Sequence, residues 1–210
     1  MDKVVIVGAG GFGREVFNYV EDSIRCGSIW RIKGFIDDSP HALDGYDYPR
    51  KIISSIDSYV PEHDDVCIVA VGIPKARKAV VERLRARGAR FASFIHPTAQ
   101  IGRNVRMGTG CVMCPETRLT CDISVGDFAI FNASSGAGHD AEIGSYATIS
   151  AFCDITGHCK VGEGAFLASS VSMRPSSKVG AWASVGIGSC VIMNIKDGES
   201  AHGNPAVIVK

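Results

Sequence analysis

The chain has 210 residues, 46% of them hydrophobic, and carries 22 basic against 22 acidic side chains, so its formal net charge is zero. That is ample apolar material for a buried core and, at this length, room for two domains. The Lys and Arg residues are spread along the chain, which argues against nucleic acid or a charged membrane surface as partner, and no apolar run approaches the length of a membrane span.

Met1-Asp2-Lys3 leads straight into a short strand rather than a signal peptide, which predicts a cytoplasmic protein. Lys3–Val7 reads as a buried strand, followed by the loop Gly8-Ala-Gly10-Gly11-Phe12-Gly13 and by helical apolar spacing over Arg14–Ile24. This is G-x-G-x-x-G between a strand and a helix: the glycines let the backbone approach a ligand, and the helix N-terminus offers free N–H groups to a phosphate. A tight turn with no ligand is the alternative reading. A second strand, Lys33–Asp37, ends in Asp37-Asp38, where a dinucleotide fold carries the acid that binds a ribose or base edge. A third strand over Val66–Val71, a helix over Pro74–Arg87 with a charged, solvated outer face, and a fourth strand over Phe91–Ile95 complete the unit. About four parallel strands amount to one mononucleotide-binding half, so residues 1–94 predict a half-Rossmann α/β domain that suits a nucleotide or nucleotide-linked sugar better than NAD.

From Ile95 the rhythm changes, and an apolar residue recurs at every sixth position as far as Val191, seventeen times without a skip. The fourth residue after each is mostly small, as at Cys111, Ala129, Ser135, Ala147 and Cys159. A period of six fits neither a helix nor a flat strand and is the signature of a parallel β-helix over residues 95–210. Gly108, Gly126, Gly144, Gly162 and Gly180 lie eighteen apart, so three hexads close one coil and residues eighteen apart are stacked neighbours at about 4.8 Å.

That spacing is a ruler for finding chemistry. In Ala137-Gly-His-Asp-Ala-Glu142 the inward residue shrinks and a His139-Asp140 pair appears, while His158 falls eighteen residues after Asp140. An outward His beside a carboxylate has the parts of a general base. Two surface histidines on a solenoid is the bland alternative. Gly157, one coil above His139, is a candidate backbone N–H for a developing oxyanion, and Asn132 is a candidate sugar contact. His41, His63 and His202 fall in solvated segments, and His96 fixes the domain boundary. Of the eight cysteines, Cys111, Cys153 and Cys159 take the small fourth place and read as core filler. Cys111 and Cys114 form one C-x-x-C with no second pair to complete a zinc site, so no metal is expected. A covalent cysteine route is disfavoured because the one Cys beside a His, Cys159, is in core phase.

The glycine loop with Arg14-Glu15-Val16, the strand end Phe35-Ile-Asp-Asp38, the junction Ile95-His-Pro-Thr-Ala99, the His139-Asp140 pair and the terminal Gly203-Asn204-Pro205-Ala206 together resemble the NeuD/PglD-type sugar acyltransferases over essentially the whole chain. The resemblance implies a left-handed β-helix, a homotrimer, acetyl-CoA in the groove between neighbouring β-helices with Gly203, Asn204 and Pro205 in contact with it, and a sugar or nucleotide-sugar acceptor held by the N-terminal domain. It implies His139 as the base and Asp140 as its support, with N-acetylation of a nucleotide-linked amino sugar for surface glycan synthesis as the expected reaction and O-acetylation of a sialic-acid-type sugar as the alternative. Members acting on nucleotide-linked amino sugars often have His where this chain has Phe12, and a second His where it has Thr148; both positions are candidate substrate contacts. A nicotinamide-dependent oxidoreductase, opposed by the short α/β unit, and a non-catalytic scaffold, opposed by the His-Asp pair, are the readings from other classes.

Overall fold

The computed structural model describes residues 2–209; Met1 and Lys210 lie outside the described residues. Four parallel strands form the N-terminal sheet: β1 (Lys3–Val7), β2 (Arg31–Ile36), β3 (Ile52–Ser54) and β4 (Asp65–Val69), in the order β3-β2-β1-β4. β1 lies between β2 and β4 with Val4–Val7 all buried, which is why it reads as an unbroken apolar run rather than an alternation. Helix α1 (Gly11–Arg25) begins inside the glycine loop, three residues before the predicted start, with Gly10 as its N-cap.

Two expectations for this unit change. The fourth strand is Ile52–Ser54, whereas Phe91 makes only an isolated bridge to Cys67, and Phe94–Ile95 pairs with Val112–Met113 in the β-helix. Helix α2 (Pro74–Arg85) does not turn a wholly solvated charged face outward. Arg77, Val80, Val81 and Leu84 are buried on one stripe, with Phe128 and Tyr146 of the β-helix in the same cluster as Val80, Val81 and Leu84.

The hexads fold as the period predicts. Ile130–Phe131 pairs with Val112–Met113 below and Thr148–Ile149 above, eighteen residues away in each direction, and the same register recurs on all three faces of a triangular prism. The docking face carries Phe94, Val112, Ile130 and Thr148 against the α/β unit; the groove face carries Arg118, Gly136 and Asp154; the polar face carries Ser124, Glu142 and Lys160. The inward residues from Met113 to Val191 are all buried, but Ile95 is exposed and Ile101 and Met107 half-buried, because no coil lies beneath the first. The final turn is shorter: Ser184 stacks on Ser200, sixteen residues on, and Val179 on Ile195.

The third residue after each inward one from Ile101 to Val185 turns a corner in the left-handed backbone region, with φ between 56° and 64° at twelve non-glycine positions. Such a conformation costs a non-glycine residue roughly 1–2 kcal/mol. At the corner between the polar and docking faces, packing offsets that cost: Phe128 and Tyr146 stack with centroids 5.4 Å apart, and Lys78 of α2 lies 5.6 Å from the Tyr146 ring and 5.3 Å from Trp182. Below the opposite edge of the same face, Val112, Cys114 and Ile130 pack with Val16 and Phe17 of α1, so Cys114 is buried by the neighbouring unit rather than left outside the core. His96 is buried at the joint: its Nδ1 is 2.8 Å from the Thr98 hydroxyl, its Nε2 is 3.6 Å from Asp22 of α1, and its ring meets Tyr19 edge-on.

Candidate active site

The corner between the groove and polar faces is the prism edge opposite the docking face, and it carries His139 and Asp140. The strand Gly136–Ala137 ends there, and Asp140 takes the left-handed corner position with φ 60°, a conformation Asp tolerates better than most side chains. Its carboxylate swings back to lie 2.8 Å from Nδ1 of His139. With the proton on Nδ1 donated to that carboxylate, Nε2 keeps its lone pair. His158 holds the same corner position one coil up, and its Nε2 stands 3.8 Å from the same Asp140 oxygen, beyond hydrogen-bond length. The two imidazoles meet edge to face, 5.0 Å between centroids. Side-chain exposures of 57%, 48% and 59% for His139, Asp140 and His158 leave the cluster open to a ligand.

Gly157 lies directly over the His139 ring: a Cβ there would sit 2.6 Å from Nε2, so only glycine leaves the imidazole its place. Below His139, Cys121 sits in the same column, and its carbonyl accepts the Asp140 N–H at 3.3 Å. A hydrogen bond to Asp122 pushes the Cys121 thiol up, away from the thiolate. Cys159 is fully buried with its thiol on the Arg174 carbonyl, as core filler should be.

Beside this corner the groove face is hollowed into a cleft of about 420 Å³. Gly136 makes the hollow: in the outward column Arg118, Gly136, Asp154 it alone has no side chain. The far wall is the Glu116, Ser134, Phe152 corner, and Phe152 is 65% exposed. None of these wall residues was named from the sequence, although the eighteen-residue ruler, applied to outward positions, marks Gly136 as the gap. Asn132 belongs to that far side, half-buried at the end of its docking-face strand, and is not gathered to His139.

Thr148 corrects a sequence expectation. It is buried, its hydroxyl donating to the Gly72 carbonyl at 2.8 Å and accepting from Arg77 at 2.9 Å, so its polar atom is spent within the domain joint and is not offered to a substrate. The C-terminal Gly203-Asn204-Pro205 lies on the last coil, with the Gly203 N–H donating to the Ser189 hydroxyl and the Cys190 N–H to the Gly203 carbonyl, each at 3.0 Å. Ala206 closes the core behind it.

The glycine loop stands at the carboxyl ends of β1, β2 and β4. Gly8, with φ 98°, lies against the Ala70 carbonyl, where a Cβ would be 2.9 Å away, and Gly13 is buried under Gly8. Gly10 and Gly11 are exposed with no atom close to where a side chain would be, and Phe12 is half-buried. Asp37 is partly committed: one oxygen accepts the Ala9 N–H and the other the Ser39 N–H, both at 2.7 Å. Asp38 accepts the Ile56 N–H and pairs with Arg83 at 2.8 Å. Both aspartates therefore shape the loop themselves. Arg14 stacks on the exposed ring of Tyr46, 3.5 Å from its centroid, beside the loop, a contact across 32 residues that no motif marks.

Two clusters among the described residues bring three ligand-type atoms within 4.8 Å of one another, His139–Asp140–His158 and Glu62–Asp64–Asp65. The second is answered by Lys3 and Lys33. Among the described residues no helix is long and apolar enough to cross a membrane.

Comparison with known proteins agrees with this architecture. Residues 3–84 match the family model described as the PglD N-terminal domain. GDP-perosamine N-acetyltransferase of Escherichia coli O157:H7 is 28% identical over 178 residues, 83% of this chain and 79% of that protein. UDP-N-acetylbacillosamine N-acetyltransferase of Bacillus subtilis (strain 168) is 32% identical over 54% of this chain and 51% of its own length. The crystal structure of PerB from Caulobacter crescentus, in complex with CoA and GDP-perosamine, superposes with a TM-score of 0.88 at 26% identity, over 100% of this chain and 98% of that one. An α/β unit that matches the PglD N-terminal domain, set on a left-handed parallel β-helix, and relatives that are acetyltransferases of nucleotide-linked sugars make this chain similar to the PglD-type sugar acyltransferases.

Proposed function

We propose that the protein transfers an acetyl group from acetyl-CoA to the amine of a nucleotide-linked amino sugar. The observation that carries this reading is the His139–Asp140 pair, 2.8 Å apart on an exposed corner beside a cleft, with Nε2 free to accept a proton. The curated relatives act on GDP- and UDP-linked amino sugars, and the superposed structure holds CoA together with GDP-perosamine. Those acceptors favour N- over O-acetylation.

In this mechanism the neutral acceptor amine attacks the thioester carbonyl while His139 Nε2 takes its proton. Asp140 holds the tautomer and stabilises the imidazolium. The tetrahedral intermediate then expels the CoA thiolate, which takes the proton back from His139, so amine and acetyl-CoA become amide and free CoA thiol. Acetyl-CoA lies along the groove face towards Gly203, Asn204 and Pro205, and the Gly157 N–H, one coil above His139, is the candidate donor to the developing oxyanion. The glycine loop, from Gly8 to Gly13 with Phe12, Asp37 and Asp38, holds the nucleotide end of the acceptor.

The position of the base supports the homotrimer as the assembly that completes the site. His139 stands on the prism edge opposite the face where its own α/β unit docks, so the unit of a neighbouring chain delivers the acceptor. Eight free cysteines suit a reducing, cytoplasmic setting. The test is acetyl-CoA with a panel of GDP- and UDP-linked amino sugars, read by release of free CoA thiol. Equal release with and without every acceptor would sink the reading.

A further inference from the structure

Arg77 is the one arginine in the described chain with no exposed surface, and its charge has no carboxylate partner within ion-pairing distance among the described residues. It sits on the buried stripe of α2, in phase with Val80, Val81 and Leu84, where an aliphatic side chain would be expected. Burial pushes the guanidinium down to about 9, so it is still charged at neutral pH. Its partners are carbonyls and one hydroxyl. Nη1 donates to Val71 at 2.7 Å and Gly72 at 3.0 Å; Nη2 donates to Tyr146 at 2.6 Å, Ala147 at 3.2 Å and the Thr148 hydroxyl at 2.9 Å. Thr148 closes the ring by donating to the same Gly72 carbonyl.

The two ends of this clamp are different parts of the molecule. Val71 and Gly72 follow β4 at the carboxyl edge of the parallel sheet, and the Val71 side chain and Ala70 carbonyl are what a Cβ on Gly8 would touch. They stand beside the glycine loop, at the edge where ligands of open parallel sheets bind. Tyr146, Ala147 and Thr148 belong to the coil that begins with His139. A planar, five-donor fork suits such a joint, because it fixes two backbones in register where a lysine would fix one point. A buried charge without a counter-ion is a costly way to hold two surfaces together if only stability is at stake.

We infer that Arg77 is a positioning residue for the acceptor: with Thr148 it registers the Val71–Gly72 segment against its own β-helix, and through that β-helix against the neighbouring chain, so that the nucleotide-linked amino group reaches the neighbour's base at the angle transfer requires. This rests on the acetyltransfer reading above. Loosening the joint should misplace the acceptor and leave the acyl donor, held on the groove face, where it was. Misplacement on the ångström scale costs about 10- to 100-fold in rate.

The experiment uses Arg77→Met, Arg77→Lys, Thr148→Val and the Arg77→Met/Thr148→Val double variant of the full chain. For each, kcat/KM is measured for the acceptor and for acetyl-CoA, and the affinities for GDP, UDP and acetyl-CoA are measured by calorimetry. Arg77→Met should lose about 10- to 100-fold in acceptor kcat/KM with acetyl-CoA affinity within about twofold of the parent. Arg77→Lys should recover part of the loss. Thr148→Val should lose less, and the double variant should be no worse than Arg77→Met alone, because the two residues act on one carbonyl. Should Arg77→Met fail to fold, Thr148→Val decides, since it removes one hydroxyl and keeps the charge. A folded Arg77→Met, or Thr148→Val in its stead, with acceptor kinetics unchanged or with acceptor and acetyl-CoA weakened equally, overturns the inference. If the parent protein acetylates no amino sugar, the functional reading fails; the clamp then stands or falls on whether the same variants weaken GDP or UDP binding while sparing acetyl-CoA.

Discussion

In the proposed reaction His139 takes the proton, and two neighbours set its ring for that role: Asp140 occupies Nδ1 and Gly157 leaves the imidazole its place at an exposed corner. His139→Ala should lower kcat about 10²–10⁴-fold with acetyl-CoA binding intact. Asp140→Asn should cost less, since it perturbs the imidazole without removing it. Gly157→Ala tests the geometry from the other side: its methyl group must displace the ring, so kcat should fall while the melting temperature stays close to that of the parent. His158 is 3.8 Å from Asp140 and touches it by no hydrogen bond, so His158→Ala should be milder than His139→Ala. Were His158→Ala the dead variant, the base would move one coil up. The stacking of Gly157 over His139 and of His158 over Asp140 was legible because the hexad period converts sequence distance into neighbouring coils. Thr148 was not, because its partners lie 71 and 76 residues away in a unit of different period.

The elements differ in how their charges are held. Asp65 opens β4 fully buried; burial opposes its ionisation, but Lys33 at 2.7 Å, the Tyr59 hydroxyl at 2.6 Å and the Glu62 N–H at 2.9 Å outweigh it and hold the carboxyl below its ordinary 3.8. A depressed folded value means that the stabilisation is complete above the ordinary carboxylate range and is lost as pH falls below it. The α/β unit should therefore melt earlier in acid, and Asp65→Ala should destabilise it by about 3–5 kcal/mol, read by denaturant unfolding at neutral pH. At this scale the β-helix was almost wholly readable, as a sixfold repeat leaves one assignment for every residue. The α/β unit was readable in β1, α1 and β2, where apolar periodicity and the glycine loop agree. It failed at β3, three residues of which only Ile52 and Ile53 are apolar, and at Phe91–Ile95, whose apolar run ends up feeding the neighbouring sheet. The buried stripe of α2 was there to be seen, since Arg77 is in phase with Val80, Val81 and Leu84, but a cation in that phase reads as surface unless its carbonyl partners are known.

For the whole molecule, Phe152 matters as an apolar ring at a left-handed corner, φ 61°, that stays 65% exposed in the single chain. The proposed trimer would cover it. Light scattering should give about three times the 22.3 kDa chain mass, and Phe152→Glu should shift the protein towards the monomer with acetyltransfer lost in proportion. A fully active monomer would exclude a site shared between chains. The shortened last turn bears on a different property of the solenoid. Eighteen-residue coils could add without limit, each presenting the same ladder of open hydrogen bonds to the next. The sixteen-residue turn breaks that step, and the antiparallel Ser200–His202 and Val207–Val209 pair folds back across the end. It works as a terminator: a chain ending at Val191 should keep its inner coils but join other molecules end to end, growing fibres where the intact protein stops at a fixed length.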